Sequence, residues 1–119
     1  MIQKFEIPLK CISWNKIAAK NRWTYMKIKD EWQQATFYAI KQAKLTPVTI
    51  FPIKLMFRAM WKQKRVHDVD SLYAKATVDT LVFAKIIPDD SLQYLSIVTF
   101  TGETGADRDG LIVTIDDCG

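Results

Sequence analysis

With 119 residues, 49% of them hydrophobic, and 17 Lys and Arg against 13 Asp and Glu, the chain has the size of a single domain, 1–119, around one core and a net charge of +4. It holds no apolar run long enough to span a bilayer, and residues 1–6 lack the apolar centre of a signal peptide, so no membrane partner and a cytoplasmic compartment are expected. Cys11 and Cys118 have no Cys or His neighbour at zinc-ligand spacing, which sets aside structural zinc and makes a bridge improbable.

Charge is unevenly distributed. Residues 1–67 carry fourteen Lys and Arg against Glu6, Asp30 and Glu31, a net of +11, whereas residues 68–119 carry three against ten acids, a net of −7. Such asymmetry points to nucleic-acid or membrane contact, and the lack of an apolar span favours nucleic acid over lipid as the partner.

In chain order, Gln3, Phe5 and Ile7 alternate with Ile2, Lys4 and Glu6, the period of a half-buried strand that Pro8 ends. Residues 10–24 have no clean period and read as a basic, aromatic loop with room for a short hairpin. There Lys16, Lys20 and Arg22 mix with Trp14, Trp23 and Tyr25, a combination that stacks on unpaired bases while holding phosphates. The competing reading packs the Trp side chains in the core or against a second subunit. Ile28, Trp32, Ala35, Ala39 and Ala43 recur at helical spacing, with Asp30 and Glu31 early and Lys41 and Lys44 late, so a helix is expected over 26–44.

In 48–61 the residues Ile53, Leu55, Phe57, Ala59 and Trp61 face one way and Lys54 and Arg58 the other, with Pro52 at the start of the strand or at a bulge. A basic run follows, in which Lys62, Lys64 and Arg65 are expected phosphate contacts. His67, the one histidine, could shuttle a proton or touch phosphate, or simply be solvated. Residues 71–84 read as a second helix starting near Asp70, Pro88-Asp89-Asp90 as a turn, and 94–101 and 111–115 as two strands joined by a mobile, Gly-bounded loop. Asp107-Arg108-Asp109-Gly110 lacks the calcium-loop pattern and is a turn. The order β, loop, α, β, α, β, β predicts an α+β domain, a small mixed sheet covered by two helices.

The chemistry is concentrated in Asp68-Val69-Asp70-Ser71-Leu72, Lys75, Asp79 and Asp89-Asp90. Asp68 and Asp70 are two apart, and an extended backbone projects both to one side, where they could share a hard cation. Alternatively Asp70 or Ser71 caps the second helix, although no Glu or Gln stands at the third helical position to complete a capping box. Lys75 has a plain alternative too, as a solvated partner of Asp79 one turn on.

The run Asp68-Val69-Asp70-Ser71-Leu72, then Lys75, then Asp79-Thr80-Leu81 and finally Asp89-Asp90 resembles the active-site segment of the RusA family of Holliday junction resolvases, common in phages and prophages. The resemblance extends to the flanks: an N-terminal strand ended by proline, a basic irregular segment, a helix, a strand and a C-terminal hairpin. It implies that Asp68, Asp70 and Asp90 are catalytic and hold Mg²⁺ or Mn²⁺, that Lys75 is the catalytic lysine, and that a homodimer nicks two strands of a four-way DNA junction in a bacterial host cell, with no small-molecule cofactor. Ser71 stands where the family more often has Asn, and Lys75 follows Asp70 by five residues where four is commoner. On a helix that extra residue is a rotation of about 100°, to be absorbed by a π-bulge if Lys75 is to share the aspartates' face. A non-catalytic branched-DNA-binding protein of the same fold is the alternative.

Overall fold

A computed structural model describes residues 2–13, 16, 17, 19–64 and 72–117 of the chain. The elements are β1 (Ile2–Ile7), α1 (Arg22–Gln42), β2 (Ile53–Trp61), α2 (Lys75–Phe83), β3 (Leu95–Thr104) and β4 (Gly110–Asp116). The fold is α+β, a four-stranded mixed sheet with two helices, and among the described residues no helix is long and apolar enough to cross a membrane.

The strands lie in the order β1-β4-β2-β3, with β2 and β3 parallel and β4 antiparallel to both β1 and β2. β1, β2 and β3 therefore all run one way, each pair joined through a helix, and β4 enters in reverse between β1 and β2. The expected C-terminal hairpin is not formed: β2 separates β3 from β4, because β4 finds two apolar neighbours in the middle of the sheet and β3 would offer it one.

Alternation explains the core. Phe5 and Ile7 of β1, Ile53, Leu55, Phe57, Ala59 and Trp61 of β2, and Leu111, Val113 and Ile115 of β4 are all buried and belong to one cluster with Trp32, Ala39 and Ile40 of α1 and Ala76 and Leu81 of α2. Both helices thus cover one face of the sheet. Each large apolar side chain withdrawn from water in this way contributes about 1.5–3 kcal/mol before entropy is counted. The helices meet through buried hydroxyls: Thr36 Oγ1 donates to the Trp32 carbonyl at 2.6 Å and lies 3.2 Å from Thr77 Oγ1, and Thr80 Oγ1 donates to the Ala76 carbonyl.

α1 begins four residues before the expected start. Asn21 is its cap, Oδ1 accepting from the Thr24 amide at 2.9 Å, so Arg22, Trp23 and Tyr25 stand on the first helical turns and not in a loop. Among the described residues 10–24 form no hairpin; Ser13 instead bridges antiparallel to Leu72, and fully buried Ile17 anchors the segment. α2 begins later than expected, at Lys75, with Ala74 at the cap position and no side-chain cap bond; Asp70 and Ser71, the expected caps, lie outside the described residues.

Both helices end alike. Lys44 and Lys85 have φ of 55° and 61°; Leu45 N–H donates to Ile40 O and Ile86 N–H to Leu81 O, while the Lys44 and Lys85 amides donate to Lys41 O and Val82 O. This is the Schellman closure, normally built on glycine because a Cβ is strained at positive φ. Replacing Lys85 by Gly should therefore stabilise the protein by about 1 kcal/mol, measured by urea unfolding, where a loss of stability would contradict the assignment.

Sequence-distant ties hold the rim of β1. The Gln3 side-chain amide exchanges two hydrogen bonds with the Thr46 backbone, and Arg108 grips Glu6 through Nε and Nη2, both at 2.7 Å. The Arg108 hydrogen bond holds the Glu6 carboxyl below the usual carboxylate range. With a lowered folded-state pKa, the stabilisation is present above the unfolded-state value and is lost as pH falls through the folded one. Glu6→Gln should lower the melting temperature at neutral pH, and the gap to the wild type should close in acid; a gap that widens on acidification would refute the pairing.

Candidate nucleic-acid interface

The sequence run that carries most of the candidate chemistry follows Trp61, the last residue of β2, and precedes Leu72, which makes an isolated antiparallel bridge to Ser13 outside the sheet. Arg65, His67, Asp68, Asp70 and Ser71 lie outside the described residues, as does Trp14, but both flanks of that run are described. At the leaving end the buried Trp61 indole donates to the Cys11 carbonyl at 3.3 Å. Trp61 and the two residues after it are tied to the β3–β4 connection: the Lys62 amide donates to Asp109 Oδ1 at 2.9 Å, Gly105 N–H to Gln63 O, and Ala106 N–H to Trp61 O. Gly105 has φ of +67°, the conformation that lets its amide reach Gln63. Lys62 and Lys64 are thereby held on a fixed backbone with exposed side chains.

At the returning end, Leu72 bridges Ser13 and the Tyr73 amide donates to Ile12 O at 2.9 Å. Between the two flanks lies a cleft of about 450 Å³, lined by Lys10, Cys11, Ile12, Ser13, Lys16, Glu31, Trp61 and Leu72. Lys10 Nζ also donates to Gln63 Oε1 at 3.3 Å, joining the cleft to the basic strap. Two lysines line the cleft, two more follow its Trp61 wall in sequence, and Glu31 is the one acid among the lining residues, so the cleft favours an anion. Cys11 is not a nucleophile: burial first, and then the Asp109 carboxylate, push its thiol up to about 12.

A second hollow, about 460 Å³ between α1 and α2, has the opposite character, with Asp30, Asp79, Phe37 and Phe83 in its walls and no Lys or Arg among the lining residues. Phosphates would be repelled there.

Lys75 is the first residue of α2, and its Nζ lies 3.9 Å from Asp79 Oδ1 with 62% of the side chain exposed, so it makes the solvated contact expected of the plainer reading. Tyr73 is buried beside it, and burial, then neighbouring Tyr25 and Asp79, raise its phenol above the ordinary range. Leu72, Tyr73 and Ala74 are not helical, so residues 72–74 do not impose the helical rotation anticipated for the extra residue before Lys75, and within them a π-bulge is not called for.

Asp89 and Asp90 are exposed and lie beyond the last turn of α2. Ser91 O accepts from the Leu95 amide, and Leu95 registers with Ile53 at the start of β2, whereas Lys75 lies near Phe57 and Phe100 at mid-strand. Lys75 therefore opens α2, a helix about 13 Å long, and Asp90 follows its other end. Among the described residues no three of Asp, Glu, His and Cys come together closely enough to hold a metal ion; Asp68 and Asp70 lie outside them.

Of the sequence-predicted nucleic-acid contacts, the cleft and its rim unite Lys16, Lys62 and Lys64; Lys20 and Arg22 are exposed at the start of α1, and Trp23 there is 84% exposed. Lys10, Asp109 and Gly105 were not anticipated. Their roles arise from contacts across some 50 residues of sequence, and the only local signal was Gly105 in a loop. No family model matches the chain, and no curated protein matches it.

Replacing Lys10, Lys62 and Lys64 together by Ala should flatten the dependence of log affinity on log salt for duplex DNA by about 0.9 per lost phosphate contact. An unchanged slope would put the nucleic-acid path elsewhere.

Proposed function

We propose that the protein is a metal-dependent, structure-selective endodeoxyribonuclease of the RusA type that resolves four-way DNA junctions as a homodimer. The observation that carries this reading is the pinning of both flanks of the Asp68–Asp70 run to one basic cleft. Two carboxylates in a run whose flanks meet at a lysine-lined cleft suit hydrolysis of a polyanion, and acids there would only weaken a site built for binding alone.

In this reading Lys10, Lys16, Lys62 and Lys64 bind the phosphates on either side of the scissile one and fix its position. Asp68 and Asp70 present oxygen ligands suited to Mg²⁺ or Mn²⁺ and not to zinc. Such an ion supplies water activation and offsets charge gathering on the phosphate. Lys75, released from its weak exposed contact with Asp79, places a further positive charge toward the same phosphate. Asp90 completes the set implied by the family pattern, and its place beyond α2 makes it the most informative residue to change. The fixed strap favours rigid positioning of DNA, and exposed Trp23 among Lys20 and Arg22 offers a stacking surface for bases unpaired at a branch point.

The alternative, a branched-DNA-binding protein of the same fold without activity, draws on the Lys75–Asp79 contact and on the separation of Asp90 from Lys75. Cleavage of a mobile four-way junction, against linear duplex, with and without Mg²⁺, decides between them. The nuclease reading expects Mg²⁺-dependent paired nicks in the junction alone, and Asp68→Asn, Asp70→Asn and Asp90→Asn should each abolish cleavage while leaving junction binding in place. Near wild-type single-turnover cleavage by all three variants would remove the active-site assignment.

A further inference from the structure

The hollow of about 460 Å³ between α1 and α2 has no part in the nuclease reading. Its α1 wall is Asp30, Gln33, Gln34 and Phe37, spaced three and four apart and so on one helix face, and its α2 wall includes Asp79 and Phe83, again four apart. The frame is fixed. Thr36 and Thr77, both fully buried, join the two helices with their hydroxyls 3.2 Å apart, and Phe37 meets Phe83 edge-on with ring centroids 6.2 Å apart.

Every charge in the lining is negative, which fixes the sign of what it attracts. Two cations approach from outside the lining: Lys75 reaches Asp79 only at 3.9 Å from an exposed position, and Lys41 lies over the Phe37 ring, 4.5 Å from its centroid. The second contact shows that this ring already attracts a positive charge. Gln34 Nε2 donates to Asp30 Oδ2 at 2.9 Å, which orients the carboxylate and leaves the amide carbonyl as a further acceptor. Phe83 is 78% exposed, its ring open to stacking.

A metal ion does not match this lining, since among the described residues no three of Asp, Glu, His and Cys come close enough to hold one. The two carboxylates are instead spread over two helices and share the hollow with two phenyl rings, which suits a cation that has an apolar body. A planar amidinium or guanidinium suits it best, because such a group is weakly hydrated, forks onto carboxylates and stacks on aromatic faces. The volume is that of a site for a whole small molecule, and a single Lys or Arg side chain would fill only part of it.

We propose that the hollow between α1 and α2 binds a small organic cation, an amidinium or guanidinium group on an apolar body, with the charged group at Asp30 and Asp79 and the body against Phe37 and Phe83. The inference goes beyond the nuclease reading and does not depend on it. Asp30 lines this hollow whereas Glu31, about 100° around the helix, lines the basic cleft, so the cation and the nucleic acid take different faces of α1.

Benzamidine, benzamide and benzoate have nearly the same shape and differ in charge, so they test the site without DNA or metal. Titrated into the isotopically labelled full chain, benzamidine should give saturable amide shifts at residues 30–37 and 79–83 with a Kd of about 1 mM or tighter, and the neutral and anionic analogues should bind at least about tenfold more weakly. Asp30→Asn, Asp79→Asn and Phe83→Ala should each weaken benzamidine about threefold or more, while Asp107→Asn, which removes the same charge at an exposed position outside the hollow, should leave its affinity unchanged. Should Asp79→Asn unfold, Asp30→Asn and Phe83→Ala, both at exposed positions, decide alone. Shifts that stay linear or spread over other acidic surfaces, benzamide bound as tightly as benzamidine, or unchanged affinity in folded Asp30→Asn and Phe83→Ala variants would overturn the proposal. Tighter binding of Nα-acetylarginine amide than of benzamidine would overturn it as well, by assigning the hollow to a basic segment of another protein.

Discussion

Everything in this molecule depends on the burial of one face of β2. Ile53, Leu55, Phe57, Ala59 and Trp61 are all at most 2% exposed, and the strand is paired on both sides along its length. A slip of one residue would turn all five to the solvent face and bring Lys54 and Arg58 into the core, so the register admits no alternative. That register decides where the strand ends. Trp61, held by the Cys11 carbonyl, is the last residue the core can claim, and the basic strap begins at the next position.

From that fixed end the functional geometry follows. The β3–β4 connection, through Asp109, Gly105 and Ala106, fastens the backbone that carries Lys62 and Lys64, and the 10–13 segment fastens Leu72 and Tyr73 on the return. Lys10 and Lys16 of the basic first half and Leu72 of the acidic second half are thereby brought to one cleft, with Lys62 and Lys64 following its Trp61 wall. The parallel β2–α2–β3 crossover has the contrary effect on Asp90. Parallel strands require the connection to travel back along the sheet, so a residue just before β3 stands at the far end of α2 from Lys75.

Local chemistry made much of this legible. A two-residue period placed β1 and β2, and a helical period with charges sorted along it placed most of α1. The start of α1 was hidden because Arg22, Trp23 and Tyr25 resemble the basic, aromatic residues before them, and the capping signal rests on Asn21 alone. The start of α2 was hidden for a non-local reason: Asp70 and Ser71 are good caps, but Leu72 is held by Ser13 and Tyr73 by Ile12, about 60 residues earlier, and the helix waits until Lys75. The pairing of β4 was hidden likewise, since two neighbouring apolar strands suggest a hairpin and only the whole sheet reveals that β4 belongs between β1 and β2. In the site, the cations and carboxylates were visible as residue types, whereas Lys10 and Asp109 act through contacts that no local pattern announces.

In the proposed function the run between Lys64 and Leu72 brings carboxylates for a divalent cation to the basic cleft. Titration of the isotopically labelled protein with Mn²⁺, read as paramagnetic broadening of backbone amide signals, tests it without recourse to activity. Broadening should begin at residues 62–64, 72–75 and 12–13, and Mg²⁺ in excess should reverse it. Broadening centred on Asp30 and Asp79 between the helices, or on Asp116 and Asp117, with the cleft amides untouched, would contradict it.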